Sequence, residues 1–106
     1  IPEYRPVQKP LSGTFNSIGS RSGTAVIERM AKRFMEIYPN VRIETVGSGS
    51  GTAFPALVSG KATMAPMSRP MSDGMIDEFR RSRGYEPFAV RVGIGGTVVF
   101  VHPDNP

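Results

Sequence analysis

Residues 41–51 read VRIETVGSGSG, and apolar Val41, Ile43 and, after Thr45, Val46 mark a short strand that stops abruptly at glycines and serines. Gly47, Gly49 and Gly51 let backbone N–H groups crowd together with no Cβ in the way, and Ser48 and Ser50 add hydroxyls that both donate and accept. That inventory suits an oxyanion. Taken alone the same run also fits a flexible loop of small residues, so its meaning rests on what flanks it.

Upstream, residues 1–12 contain three prolines and read as an extended N-terminal arm. Gly13–Ile18, GTFNSI, reads as a strand carrying Phe15 and Ile18, and it too runs into small residues, GSRSGT at 19–24. The spacing of Val26, Ile27, Met30, Phe34, Ile37 and Tyr38 predicts an amphipathic helix over 24–38, stopped at Pro39-Asn40. Glu28, Arg29, Lys32, Arg33 and Glu36 then form its solvated face. Downstream, Phe54, Leu57 and Val58 predict a short helix over 52–59 with Pro55 in its first turn and Gly60 closing it. The segment ATMAPM at 62–67 reads as a third strand whose pairing Pro66 limits. Ser72 or Asp73 caps a further helix over 75–82, with Met75, Ile76 and Phe79 inward and Arg80, Arg81 and Arg83 at the end that suits cations. Two β-rich runs, 88–94 and 97–101, flank Gly95-Gly96, and the second, TVVFV, is as apolar as a strand buried on both faces. The six methionines read as core filler.

Strands and helices therefore alternate, which predicts an α/β fold with a mostly parallel sheet flanked by helices. In such sheets ligands bind outside the carboxyl ends of the strands. Three of those ends carry Ser/Thr/Gly turns that open helices, at 20–24, 48–52 and 68–73. Each helix start offers unpaired N–H groups and about half a positive charge, so three aimed at one spot make an anion site with few full charges.

Composition sets outer limits. At 106 residues the chain is one domain or part of one. Thirteen Lys plus Arg against nine Asp plus Glu give a net charge of +4, which favours anionic partners without singling one out. The basic residues are spread from Arg5 to Arg91 with no dense stripe, and no RNA-binding aromatic motif occurs, so nucleic acid is not expected as a partner. There is no cysteine, which excludes disulfides and thiolate metal sites. No apolar run approaches the roughly 18 residues of a membrane span, and IPEYRPVQKP at the start has no apolar signal core, so any export signal is expected to have been removed already. Catalysis finds little support. No Gly-Lys-Ser/Thr follows residues 47–51, no G-x-S-x-G elbow occurs, and the single histidine, His102, lies beyond the last strand and far from Ser20, Ser22, Ser48 and Ser50. Asp73, Asp77 and Glu78 share a helix without a histidine to complete a metal site, so no metal or cofactor is expected.

Five segments taken in order, IGSRSGT, MAKRFMEIYPNVRIE, VGSGSG, GKATMAPMSRPMS and VGIGGTVVFVHPDNP, resemble the amino-terminal part of the periplasmic phosphate-binding proteins of bacterial ABC transporters, the PstS-like proteins. The resemblance covers residues 13–106. It implies a type II periplasmic-binding-protein fold of two lobes, with 13–101 as the first part of lobe one and 102–106 starting the crossover to a second lobe. The chain is accordingly expected to be a fragment, a split product or a chain whose remainder lies elsewhere. Carried over, the resemblance places Ser22, Gly23 and Thr24, then Ser48, Gly49 and Ser50, against phosphate oxygens. At the third turn many members have an acidic residue that accepts the proton of hydrogen phosphate, and here Ser68-Arg69 stands in its place. A carboxylate rejects a fully deprotonated anion by repulsion whereas serine does not, so discrimination against sulfate is open, and Arg69 is either a bidentate anion partner or a surface arginine.

The implied role is a non-catalytic solute-binding protein that captures inorganic phosphate in the periplasm or cell envelope for an ABC permease. A receptor for sulfate or molybdate on the same scaffold is one alternative. The other is an interaction module of the same fold that pairs with itself or docks on an acidic partner.

Overall fold

Parallel strands cannot be joined by a tight turn and need a long crossover, and the first 46 residues supply one. In the computed structural model, which describes residues 3–96 and 99–105, β1 (Gly13–Ile18) and β2 (Val41–Val46) pair in parallel, from Gly13 opposite Val41 to Ile18 opposite Val46. The helix α1 (Arg21–Ile37) joins them and packs on β2. It begins before residue 24 because Ser20 takes the cap position and Ser22-Gly23 continue into the first turn instead of ending as a loop. Its contacts with β2 include Met35, whose sulfur accepts the Ile43 N–H at 3.3 Å, and Glu28, whose carboxylate accepts the Thr45 hydroxyl at 3.3 Å; Ala31 is its buried residue. Val26 and Met30, expected inside, are exposed: among the described elements α1 packs chiefly on β2, and these two side chains lie off that contact.

The next helix, α2 (Ser50–Val58), packs on β1 and on α3 (Asp73–Arg83). α2 starts at Ser50, so Pro55 is its sixth residue, past the first turn. Ala53 and Ala56 form its buried face, and their small side chains let the helix lie close to its neighbours. α3 is capped at both ends as its sequence dictates: Ser72 Oγ accepts the Met75 N–H at 3.4 Å, and Gly84 closes the helix in the left-handed conformation, its N–H donating to Arg80 O. Phe79 is buried and meets Tyr85 edge-on, with ring centroids 5.2 Å apart. Met75 and Ile76 are half-buried.

The predicted third strand is reduced to one bridge, Ser17 with Met64, in the parallel sense. Ile18 N–H donates to Met64 O at 3.1 Å and the N–H groups of Thr63 and Met64 reach Asn16 O, but Pro66 has no N–H to continue the ladder. The predicted strands at 88–94 and 97–101 are absent among the described residues; Thr97 and Val98 lie outside them. Phe88 is 90 % exposed and Ile94 93 %, and Val99, Phe100 and Val101 are exposed rather than buried on both faces. A strand exists only against a partner, and among the described residues the sheet consists of β1 and β2, with no segment pairing to these runs. The radius of gyration, 16.9 Å against about 13 Å for a closed domain of this length, reflects the same lack of closure. Of the methionines, Met30 and Met64 are exposed and the other four half-buried, so they are not uniformly core filler.

Candidate anion site

Because β1 and β2 run parallel and in register, the chain leaves both at the same end, after Ile18 and after Val46. The parallel bridge at Met64 brings a third segment out at that end, so residues 19–20, 47–49 and 65–69 meet. Backbone hydrogen bonds stitch them together: Gly19 N–H to Val46 O at 3.1 Å, Gly49 N–H to Gly19 O at 2.8 Å, and Ser20 N–H to Pro66 O at 2.8 Å. Three positions demand glycine, and at one of them a Cβ on Gly47 would sit 2.6 Å from Thr24 Oγ1, which is already held on Ser20 O. A Cβ on Gly19 would sit 2.3 Å from Pro66 O, and Gly49 holds φ at +110°, which other residues rarely adopt.

The starts of α1 and α2 are built by one device. Thr24 turns its N–H (3.1 Å) and its hydroxyl (2.8 Å) onto Ser20 O, and Thr52 turns its N–H (3.1 Å) and hydroxyl (2.8 Å) onto Gly49 O. Each threonine thus fastens the first turn to the residue before it. Among the described residues, no protein acceptor meets the N–H groups of Arg21, Ser22 and Gly23, nor those of Ser50 and Gly51. These are the orphan donors of two helix starts, and they lie where the chain emerges from the sheet. The sequence signal for the device is the tripeptide Ser-Gly-Thr, present at 22–24 and again at 50–52.

The expected residues divide accordingly. The hydroxyl of Ser22 lies 3.0 Å from that of buried Ser20. Thr24 spends both donors on Ser20 O. Ser48 is exposed, with no hydrogen-bond partner for its side chain among the described residues, whereas Ser50 Oγ lies 3.0 Å from Ser68 Oγ and links the second loop to the third. Arg69 makes no ion pair among the described residues and lines, with Ser50, a pocket of about 180 Å³ whose apolar walls include Phe54, Met67 and Met75. That is small beside the roughly 300–1,000 Å³ of a drug-sized site. The third helix start departs from expectation. α3 begins five residues after Ser68, its Met75 N–H is already taken by Ser72, and Asp73 sits in its first turn, so it offers no comparable free end to an anion. Two helix ends and one loop converge, not three helix ends.

Elsewhere the chemistry is sparse. His102 is exposed, and among the described residues its ring meets its near neighbour Asp104, at 3.5 Å. Among the described residues no three His, Asp or Glu side chains are placed to hold a metal ion.

Parallel β-strands flanked by helices, with small-residue loops at the carboxyl ends, define a periplasmic-binding-protein-like lobe. The chain belongs to the PBP superfamily: the model described as a PBP superfamily domain matches residues 6–106. It is 40 % identical over all 106 residues to the phosphate-binding protein PstS of Pseudomonas aeruginosa, of which it covers 32 %. Among solved structures, it is similar to a possible phosphate binding protein from Planctomyces limnophilus (TM-score 0.63, 24 % identity, 70 % of this chain and 26 % of that one). A phosphate-binding protein of a phosphate ABC transporter from Streptococcus pneumoniae is similar as well (TM-score 0.59, 26 % identity, 70 % of this chain and 27 % of that one). The chain spans about a third of the length of the curated relatives it matches.

Proposed function

We propose that this chain supplies the first anion-gripping loops of a non-catalytic solute-binding protein that captures inorganic phosphate in the cell envelope and delivers it to an ABC permease. The observation that carries the reading is the convergence of two helix starts with unclaimed N–H groups beside the Ser50–Ser68 hydroxyl pair at one end of a parallel sheet. Donors fixed in place and backed by helix dipoles favour an oxyanion without requiring a stack of full charges. The identity to a phosphate-binding protein over the whole chain supports phosphate as the ligand.

On this reading Ser22, Gly23, Ser50 and Ser68 hold oxygens directly, Thr24 and Thr52 frame the turns, and Arg69 adds a cation at the rim. Ser48 and Gly49 shape the approach. Residues 13–101 then form the first part of one lobe and 102–106 lead toward another, and further chain covers the exposed apolar side chains between Phe88 and Val101. Titration calorimetry of phosphate into the full-length product of the gene encoding these residues tests it. Binding in the micromolar range or tighter is expected. Retention of that affinity when Ser22, Ser50 and Ser68 are all replaced by alanine sinks the reading.

The exposed run of apolar side chains favours one second reading, a module that pairs with a copy of itself through uncovered sheet-forming sequence. Light scattering that finds a monomer at high concentration counts against it.

A further inference from the structure

Gly13 N–H reaches Asn40 O and Gly19 N–H reaches Val46 O, so the even-numbered residues of β2 bond to β1. The N–H and C=O groups of Val41, Ile43 and Thr45 therefore point away from β1, along the outer edge of the strand. On the far side of β1 the bridge at Met64 continues the sheet, and β2 pairs with β1 alone among the described residues. An edge of this kind is a template on which another chain can add a strand.

This edge is fastened to α1 at three heights. Val41 N–H donates to Tyr38 O at 3.0 Å, Ile43 N–H to Met35 Sδ at 3.3 Å, and the Thr45 hydroxyl to Glu28 Oε1 at 3.3 Å. A thioether is a weak acceptor, so the middle fastening holds least, and it sits over the centre of the strand.

The edge is also complementary to itself. Laid antiparallel beside a second copy with Ile43 opposite Ile43, the outward N–H and C=O groups form the ladder and Val41 stands opposite Thr45. Arg42 then faces Glu44 of the second copy, and Glu44 faces Arg42, in the pairs where cross-strand side chains come closest. Both side chains are exposed, and within one chain they pair with each other at 2.8 Å. Opposite charges across two strands stabilise the pairing, so this sequence invites a copy of itself.

We propose that α1 guards a latent interface between two copies of the chain. With Met35 in place β2 is shut to strand addition, and with that contact removed two copies join through their β2 edges, antiparallel about Ile43. The device is independent of ligand capture and lies beyond it.

The test uses the full-length gene product. Met35→Leu keeps the bulk and removes the acceptor, so amide hydrogen exchange should quicken about tenfold at Ile43 and stay unchanged at Arg42 and Glu44, which bond to β1. Met35→Ala clears the side chain from the edge, and light scattering at high concentration should find a dimer that the unaltered protein lacks. In that background Arg42→Glu sets like charges across the pair and should return the monomer. Adding Glu44→Arg restores opposite charges in reversed order and should bring the dimer back. Loss of stability alone has no such dependence on charge order. Unchanged exchange at Ile43 in Met35→Leu overturns the guard, and this volume-conserving variant decides that point whether or not Met35→Ala folds. A Met35→Ala protein that melts cooperatively yet stays monomeric overturns the interface, as does association that ignores the charges at 42 and 44.

Discussion

The hydroxyl oxygens of Ser50 and Ser68 lie 3.0 Å apart, which ties the first residue of α2 to the loop that leads toward α3. The contact is solvent-accessible, so its loss should change stability by under about 0.5 kcal/mol. Its effect on ligand binding should be larger, because each hydroxyl is positioned by the other. Ser50→Ala and Ser68→Ala are each expected to weaken phosphate binding by about 1.5–3 kcal/mol, the range for a hydrogen bond to a charged group. The double variant should lose less than the sum, since the two side chains form one unit. Calorimetry and a thermal melt separate the two effects.

Gly19 is held to its identity by Pro66. A Cβ at this position would approach Pro66 O to 2.3 Å, and the backbone of both residues is tied in place, Gly19 by its bonds to Val46 O and from Gly49 N–H and Pro66 O by the Ser20 N–H. Gly19→Ala should therefore cost about 1–3 kcal/mol of stability, as overpacking does. Gly51, in the first turn of α2 with open space around it, is the control, and Gly51→Ala should be neutral or slightly stabilising. A Gly19→Ala protein that melts with the unaltered one would contradict the packing of these loops.

Much of this arrangement was legible in residue order. The pairing of Gly13–Ile18 with Val41–Val46 follows from two short apolar runs separated by a helix-period segment. The use of their carboxyl ends follows from the small residues placed there. Three things were not legible, each for a physical reason. Periodicity marked Val26 and Met30 as inward, but which flank of α1 is covered depends on what lies beneath it, and among the described elements its main contact is with β2. The alternation of Phe88, Val90, Val92 and Ile94 is the pattern of a strand, yet pairing is a property of two segments and no partner lies among the described residues. Whether Thr24 points a hydroxyl at a ligand or back at its own chain is decided by competition between nearby acceptors, and Ser20 O wins at 2.8 Å.

At α3 the cap is separable from the anion site, which gives a negative control. Ser72→Ala removes the acceptor for the Met75 N–H. The hydrogen bond is long and exposed, so the cost belongs at the low end for caps, about 0.5–1 kcal/mol, read from a melt. Phosphate affinity should not change. A loss comparable to that in Ser68→Ala would mean that the start of α3 contributes to the ligand after all.

At the opposite end of α1 the N-terminal arm is fastened by one tyrosine. Tyr38, buried at the end of the helix against Phe34, shares a hydrogen bond with the Tyr4 hydroxyl at 2.7 Å and accepts the Val7 N–H at 2.9 Å. The hydrogen bond to Tyr38 raises the pKa of Tyr4 above its ordinary value, with desolvation and the neighbouring phenol adding in the same direction. A raised value in the folded chain means that the neutral phenol is the docked form. Docking is therefore complete below the ordinary tyrosine range near ~10 and is lost as pH rises through the folded value. An alkaline titration of tyrosine absorbance should show one group ionising late. Tyr38→Phe should return Tyr4 to the ordinary range and leave the arm open to a non-specific protease at neutral pH. The arm's two basic residues, Arg5 and Lys9, each precede a proline and so make poor sites for trypsin. An unchanged titration in Tyr38→Phe would show that the arm is held by something other than the phenol pair.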